Sequence, residues 1–273
     1  AFPTRDRGDA ARRLYESHVQ AAIRLSDSYR ISGALLGILL VALSAALVIL
    51  KLRRSAKALD RERQLAETLL LNVLPKPIAE RLKLNPDVIA DSFPTATVLF
   101  ADLVGFSQLS ARLPAIELVR LLNRIFSSLD LIAEHHGLEK IKTIGDAYMV
   151  VSGLPLARPD HAQAMADFAL AAIDELSQIR TERGENLQFR IGINSGSVIA
   201  GVIGVRKFAY DLWGDTVNIA SRMEMHGIPD AIHCAESTYQ LLKDRYEFTA
   251  RGSIPIKGIG PMQTYLLTGH KKA

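Results

Sequence analysis

Two charged side chains interrupt an apolar stretch near the middle of the chain. Residues 139–151, EKIKTIGDAYMVV, read as two short strands joined by a tight turn at Ile144-Gly145-Asp146, where glycine gives the backbone the freedom that such turns need. Lys142 and Asp146 are the only charges beyond the first two residues. A charge in such a run costs free energy unless it has a partner or a function. A Lys142–Asp146 pair on a solvated strand face is the simpler interpretation for an arbitrary hairpin.

A second aspartate follows the strand-like run 96–100. Asp102 begins a loop in which Gly105 permits close backbone approach. In a strand-helix-strand-strand sheet the first and third strands are neighbours, so Asp102 and Asp146 are expected to converge at one end. Two carboxylates beside exposed backbone groups suit Mg²⁺ bound to a nucleoside triphosphate, although many loops hold an aspartate.

A polar helix face supplies two further candidates. Asp215 or Thr216 is predicted to cap a helix that ends near Gly227. Asn218 and Arg222 are four residues apart and therefore share one face of it. An arginine there could stabilise charge on a transferring phosphoryl group, and an asparagine could orient a sugar. The alternative is an ordinary polar outer face.

The elements that position these residues alternate between strand and helix. The strand 96–100 precedes a helix that opens at Pro114 and runs to Gly137, followed by the hairpin and a helix from about Asp160 to Ile179. Strands are predicted at 189–194 and, beside it, at 198–203. This order predicts an α+β, ferredoxin-like core with helices on one face of an antiparallel sheet, leaving the other face free for a partner.

Composition excludes several classes of protein. The 273 residues are 48% hydrophobic and carry a formal charge of +4, without a block of five basic residues, so nucleic acid is not an expected partner. The single cysteine, Cys234, excludes an internal disulfide and fits a reducing compartment. The sequence lacks a CxxC motif, so it gives no indication of a zinc site. His135-His136 are interpreted as structural residues, because cations suit the end of a helix.

Residues 31–50 form an uncharged apolar run. At helical rise it spans about 30 Å, which is the thickness of a bilayer core. A signal peptide or a buried globular helix are the alternatives, but the run is long for a signal and stops abruptly at Lys51. Residues 51–65 carry six Lys or Arg and residues 16–30 carry two, which predicts that the chain after Leu50 is cytoplasmic, at the plasma membrane.

The residues after the apolar run favour a helical linker. They lack Gly and Pro up to Pro75 and place apolar side chains every seven residues, so two copies could pair as a coiled coil. An amphipathic helix lying on its own domain is the alternative. The predicted division is a juxtamembrane or extracytoplasmic segment 1–30, a membrane helix 31–50, a linker 51–92 and a catalytic domain 93–273. The heptad positions are Leu52, Leu59, Ala66 and Val73.

Four segments, in this order and spacing, resemble the catalytic domain of class III adenylyl cyclases. They are FADLVGFS, EKIKTIGDAYMVVSGLP, FRIGINSGSVIAGVIG and YDLWGDTVNIASRME. The similarity runs from Phe93 to Gly269, and NVLPKPIAERL before it resembles the corresponding segment of membrane-bound bacterial members. The resemblance implies a ferredoxin-like class III nucleotidyl cyclase domain that works as a head-to-tail homodimer.

The resemblance also implies a role for each matching position. It assigns Asp102, Asp146 and the Leu103 carbonyl to two divalent metal ions, Mg²⁺ or Mn²⁺. Contacts with the nucleotide and the transition state fall to a larger set: Arg190 and Lys257 for phosphate, Lys142 and Asp211 for the purine, Asn218 for the ribose, and Arg222 for the transition state.

The purine pair predicts ATP as the substrate. Adenine presents an acceptor at N1 and a donor amino group at C6, which match the Lys142 ammonium and the Asp211 carboxylate, whereas guanine presents the opposite pattern. A mismatch would leave both protein groups unpaired. The expected reaction is attack of the ribose 3′-hydroxyl on the α-phosphorus, with loss of pyrophosphate.

Three hypotheses remain open at this point. The chain could be an active, membrane-anchored homodimeric adenylyl cyclase, or a degenerate cyclase-like domain that binds a nucleotide without turnover. It could also be a ferredoxin-like scaffold, which would leave the ordered motifs as coincidence. Degenerate domains usually lack a metal aspartate or the arginine, and this chain has both kinds of residue.

Overall fold

A computed structural model describes residues 4–84, 89–204, 207–256 and 258–271, with side chains from Arg12 onward. The chain divides into two compact units, Ala1–Thr68 and Leu69–Ala273. The helices are α1 (Thr4–Leu71), α2 (Lys76–Leu84), α3 (Phe106–Arg112), α4 (Ala115–His135), α5 (His161–Gln178), α6 (Asp215–Met225) and α7 (Glu236–Leu242). The strands are β1 (Ala90–Leu103), β2 (Glu139–Ile144), β3 (Ala147–Ser152), β4 (Phe189–Ile203), β5 (Ala209–Trp213), β6 (Ala231–Ala235), β7 (Tyr246–Ile256) and β8 (Gly260–His270).

The described part of the first unit belongs to helix α1. Helix α1 contains residues 4–30 of the predicted N-terminal segment, the apolar run 31–50 and the start of the linker, whereas residues 1–3 lie outside the described residues. By length and composition, the stretch Arg12–Leu71 could cross a membrane, and none of its most apolar window is buried. Leu52 and Leu59 of the heptad are exposed, so their pairing with a second copy stays a prediction.

The second unit contains one sheet. Within the described residues its strand order is β2-β3-β1-β4-β6-β8-β7, with β5 paired to β4. The first four of these strands are antiparallel neighbours, which confirms the ferredoxin-like core and the expected contact between β1 and β3. The pairing of β4 with β6 is parallel.

Strand β4 is longer than the sequence indicated. The stretch 198–203 is not a separate strand beside 189–194, because Phe189–Ile203 is continuous. Its first half pairs with β1 and β6, and its second half pairs with β1 and with β5, from Ile199 opposite Trp213 to Ile203 opposite Ala209. Ser195 and Gly196, which lie between the two predicted strands, are both paired with β1.

Both faces of the sheet bury apolar side chains. Leu99 and Ala101 face the core under α4 and α5, whereas Val98 and Phe100 face a second core that includes Ile78 of α2. The expectation of a free second face is therefore wrong, since the segment before β1, strand β5 and Ala220 of α6 cover part of it. The physical reason is the near-continuous apolar run Ala96–Ala101, which suits a strand buried on both sides.

Two helix boundaries show how far local signals reach. Helix α4 begins directly after Pro114, as predicted. Helix α6 begins at Asp215, but its N-cap is Gly214, and neither Asp215 nor Thr216 caps it with a side chain. The Thr216 hydroxyl instead donates to the Ser197 carbonyl at 2.6 Å, which ties the start of α6 to β4.

Candidate active site

Asp102 and Asp146 meet at one end of the sheet. Asp102 lies near the end of β1, and Asp146 lies in the β2–β3 turn beside Gly145, whose φ of 64° favours glycine. Burial, a hydrogen bond with Asp102 and the negative charge of Asp102 raise the pKa of Asp146 to about 6. The backbone N–H groups of Asp146 and Leu103 donate to the Asp146 carboxylate and act in the opposite direction. The predicted convergence of the two aspartates is thus what the structure has.

Arg190 lies between two acidic side chains. It is opposite Asp102 in the β1–β4 register, and its Nη2 donates to Asp102 Oδ2 at 2.8 Å. The same Nη2 is 3.3 Å from Oε1 of Glu224 in α6. Burial and the charge of Asp102 raise the pKa of Glu224 to about 7, although Arg190 acts to lower it. We call Asp102, Asp146 and Glu224 the carboxylate cluster.

The sequence reasoning missed Glu224. It lies two residues after Arg222, so a helix places the two on different faces. Its position depends on Gly192 of β4, where an added Cβ would lie 2.0 Å from the Glu224 backbone nitrogen. The helix backbone therefore rests directly on the strand. A glycine inside a predicted strand was the available signal for such close approach.

Lys142 and Asp211 form a second charged group. Lys142 Nζ lies 2.5 Å from Asp211 Oδ2, so the lysine pairs with β5 rather than with Asp146. A register shift between Lys140 and Lys142 interrupts the β2–β3 ladder just before the lysine. The side chains of Lys142 and Asp211 are 39% and 21% exposed, which leaves both accessible to a ligand.

Two polar side chains of helix α6 lack a charged partner among the described residues. Asn218 is exposed, and its side chain makes no hydrogen bond with any described residue. Arg222 donates to Met225 Sδ at 3.6 Å and has no carboxylate partner among the described residues. Lys257 lies outside the described residues. The structure thus brings Asp102, Leu103, Asp146 and Arg190 together, and separately Lys142 with Asp211.

Protein ligands alone do not make a closed metal site here. In the described part of the chain, no group of three or more His, Cys, Asp or Glu side chains could hold a metal ion. Two touching aspartates nevertheless fit Mg²⁺ or Mn²⁺, because these ions bind through one or two carboxylates together with substrate phosphates. The raised pKa of Asp146 reflects in part the like charge that such a cation would offset.

Residues 88–269 match the family described as the adenylate and guanylate cyclase catalytic domain. The chain belongs to this family. An adenylate cyclase of Mycobacterium tuberculosis is 46% identical over 222 residues, which cover 81% of this chain and 50% of the relative. The chain therefore spans about half the length of the curated relatives of this kind.

Guanylate cyclases are also similar to the chain. The rat guanylate cyclase soluble subunit beta-2 is 42% identical over 219 residues, covering 80% of this chain and 32% of that subunit. Among solved structures, the catalytic core of a rhodopsin-guanylyl cyclase with converted specificity, in complex with ATPalphaS, is 41% identical with a TM-score of 0.64. It covers 66% of this chain and 98% of its own. Membership of the cyclase family alone therefore leaves the base open.

Proposed function

We propose that this chain is an adenylate cyclase, which converts ATP to 3′,5′-cyclic AMP and pyrophosphate. The Lys142–Asp211 contact is the observation that carries this proposal, because it supports adenine over guanine as the base that the site binds. Its support is that an ammonium and a carboxylate, 2.5 Å apart and partly exposed, present one donor and one acceptor side by side.

Adenine fits this pair and guanine does not. The Lys142 ammonium donates to N1 of adenine, while the Asp211 carboxylate accepts from the C6 amino group. Guanine has a donor at N1 and an acceptor at C6, so the Lys142 donor would face a donor and the Asp211 acceptor would face an acceptor. Groups that lose their hydrogen bonds in a partly buried site carry a large penalty, and this favours ATP.

The phosphates are bound beside Asp102 and Asp146 of the carboxylate cluster. We assign Asp102, Asp146 and the Leu103 carbonyl to two divalent cations, Mg²⁺ or Mn²⁺, with Arg190 facing the triphosphate. When bound, such cations lower the pKa of the attacking hydroxyl and stabilise the leaving pyrophosphate. Arg190 supports this role because it brings a positive charge to within 2.8 Å of Asp102. Lys257 remains a proposed further phosphate ligand.

Asn218 and Arg222 act on the reacting atoms. The ribose 3′-oxygen forms a bond to the α-phosphorus, the bond to the β-phosphate bridging oxygen breaks, and the hydroxyl proton leaves to solvent. Arg222 stabilises the added negative charge in the transition state, and Asn218 orients the ribose. Their lack of carboxylate partners among the described residues leaves both free for this task.

The active form is a head-to-tail homodimer. In it, the carboxylate cluster of one copy faces the Lys142–Asp211 pair, Asn218 and Arg222 of the other. Support comes from the paired strands β4 and β5, which expose large apolar side chains that a second copy would cover. These are Ile199, Ile203 and Trp213 on the two strands, together with Phe208 directly before β5.

The membrane part anchors the enzyme. Residues 31–50 of α1 would span the plasma membrane, with the cyclase domain in the cytoplasm, and Leu52 and Leu59 would pair between copies. The exposed apolar surface of α1 and the excess of basic residues after Leu50 support this arrangement.

Turnover of each nucleotide tests the proposed activity. The purified chain, with ATP and Mg²⁺ or Mn²⁺, should release cyclic AMP and pyrophosphate, and GTP should be the poorer substrate. Absence of product with both metals at high enzyme concentration would favour a domain that binds nucleotide without turnover. Faster turnover of GTP would refute the purine assignment.

A mixing assay tests the shared site. Asp102→Ala and Arg222→Ala should each be inactive alone. An equal mixture should regain about a quarter of wild-type activity, because half of the dimers are mixed and each has one intact site. No recovery after exchange of subunits would count against sites shared between copies.

A further inference from the structure

Glu224 is a buried acid that the proposed reaction does not use. The residue is 7% exposed, although it belongs to a helix with a polar outer face. It touches no other cation than Arg190 among the described residues, and it lies in the carboxylate cluster where negative charge is already crowded. Burying a third carboxyl there requires a compensating role.

Among the described residues, the Arg190 guanidinium makes its contacts through Nη2 only. Nη2 is bonded to Asp102 and lies 3.3 Å from Glu224, while Nε is buried without a hydrogen-bond partner. No described residue accepts a hydrogen bond from Nη1. Glu224 Oε1 is likewise buried without a hydrogen bond, since its contact with Arg190 is not aligned as one. The pair therefore holds an unused donor edge and an unused acceptor.

Asp102 serves two demands that compete. Its Oδ2 accepts the hydrogen bond from Arg190, and the same carboxylate is proposed to hold divalent cations. When a cation takes Asp102, Arg190 loses its shorter contact and needs another acceptor. Glu224 Oε1 is the acceptor within reach. A guanidinium left without a partner in such a buried place would be costly.

We propose that Glu224 is a positioning residue, which takes over Arg190 when Asp102 turns to the cations and so aims the free edge of the guanidinium at the triphosphate. This inference rests on the proposed function, because it uses the assigned roles of Asp102 and Arg190. Glu224 itself touches neither the nucleotide nor the cations.

The fold holds Glu224 in place for this role. Gly192 lets the α6 backbone rest on β4, two residues from Arg190 along the strand. Gly227, just after α6, approaches Arg190 so closely that an added Cβ would lie 3.2 Å from the Arg190 Cβ. Strand and helix thus fix both ends of the Arg190–Glu224 contact, and only the side chains need to move.

The isosteric variant Glu224→Gln tests the inference. It keeps the shape but loses the charge that holds Arg190. KM for the metal–ATP complex should rise by roughly 10- to 100-fold, the usual effect of losing an orienting partner, with kcat changed much less. The Kd of pyrophosphate with Mg²⁺, measured by calorimetry, should rise by the same factor. Glu134→Gln, an exposed glutamate of α4, is the matched control and should change neither constant.

A double-mutant cycle separates positioning from a merely structural role. Arg190→Ala should weaken pyrophosphate binding as Glu224→Gln does, and adding Glu224→Gln to Arg190→Ala should weaken it no further. Independent, multiplying losses would overturn the inference, and so would an unchanged pyrophosphate Kd in a folded Glu224→Gln protein. If Glu224→Gln alone does not fold, the comparison of Arg190→Ala with the double variant decides in the same way.

The outcome is distinct from that of the proposed function. A wild-type protein without cyclase activity would refute the proposed function and would leave the Arg190–Glu224 coupling to be tested by pyrophosphate binding. Pyrophosphate is common to ATP and GTP turnover, so its binding tests the Arg190–Glu224 coupling whichever base the enzyme prefers.

Discussion

The carboxylate cluster and the Lys142–Asp211 pair differ in their balance of charge. In the first region, Asp102 and Glu224 contact the guanidinium of Arg190, and Asp146 adds a third carboxyl group beside Asp102. In the second region, one ammonium meets one carboxylate. Like charge and burial raise the pKa of Asp146 and Glu224 in the cluster. The first region is therefore suited to take up positive charge from outside. The second is suited to a neutral group with a fixed pattern of donor and acceptor.

The largest effect should come from breaking the cluster. Asp102→Asn removes one of the two proposed metal carboxylates, so cyclic AMP formation should fall by roughly 10²- to 10³-fold or more, the scale of several kcal/mol of lost charge stabilisation. The change relieves like charge beside Asp146 but also removes the anion that pairs with Arg190, so thermal unfolding is needed to show that the variant stays folded. Activity with Mg²⁺ and with Mn²⁺, and thermal unfolding, measure the two parts.

Asp91→Asn is the control for this prediction. Asp91 lies in the same strand and pairs with Arg81 on a partly exposed surface, where ion pairs contribute about 0–1 kcal/mol. Its activity should stay close to that of the wild type. An equal loss in both variants would show that the strand, and not the cluster, had been damaged.

The next effect should come from reversing the pair. Lys142→Glu combined with Asp211→Cys exchanges donor for acceptor, so the ratio of kcat/KM for ATP to that for GTP should fall by roughly 100-fold or more. Initial rates with each nucleotide provide the measurement. Lys140→Glu is the matched control, since Lys140 is on the same strand but bonds to Asp130. An unchanged ratio in the double variant would refute the assignment of the base.

The smallest effect should separate burial from like-charge crowding. Burial alone raises the pKa of Glu139 to about 7 from its ordinary value of 4.5. Above pH 4.5 the unfolded chain releases this proton while the folded chain retains it, so stability falls as pH rises towards 7. Glu139→Gln should remove this loss and gain about 1–3 kcal/mol at pH 8, with little gain at pH 5.

Chemical unfolding at the two pH values checks this effect. An equal shift at pH 5 and pH 8 would contradict it. Mg²⁺ should stabilise the wild type and Glu139→Gln equally, because no carboxyl group among the described residues contributes to the raised pKa of Glu139. The exposed Glu134→Gln serves again as the control.

What the sequence could predict depended on local signals and on topology. Pro114 marked the start of α4, and the strand order placed Asp102 near Asp146. Both followed from general rules: the fixed φ of proline at a helix start, and the adjacency of first and third strands. The resemblance to cyclases supplied the assigned roles, which the structure leaves as proposals.

What could not be predicted depended on contacts between distant segments. The partner of Lys142 is 69 residues away in β5. No helix or strand period reveals this pairing, and only the resemblance to cyclases put Lys142 together with Asp211. The N-cap of α6 is Gly214, and the Thr216 hydroxyl donates to a carbonyl of β4 instead of capping the helix. Glu224 became visible only once α6 was seen to rest on Gly192, since the amount of space above a strand is a tertiary property.

The close contact at Gly192 makes the position of the whole helix α6 depend on one residue. Any side chain there would collide with the α6 backbone, because the Cβ alone would lie within 2.0 Å of the Glu224 nitrogen and 2.6 Å of the Ala220 carbonyl oxygen. The helix would have to lift, and it carries Asn218, Arg222 and Glu224 together. In a screen of random variants, we therefore expect substitutions at residue 192 to lower activity as strongly as substitutions of the proposed site residues on α6.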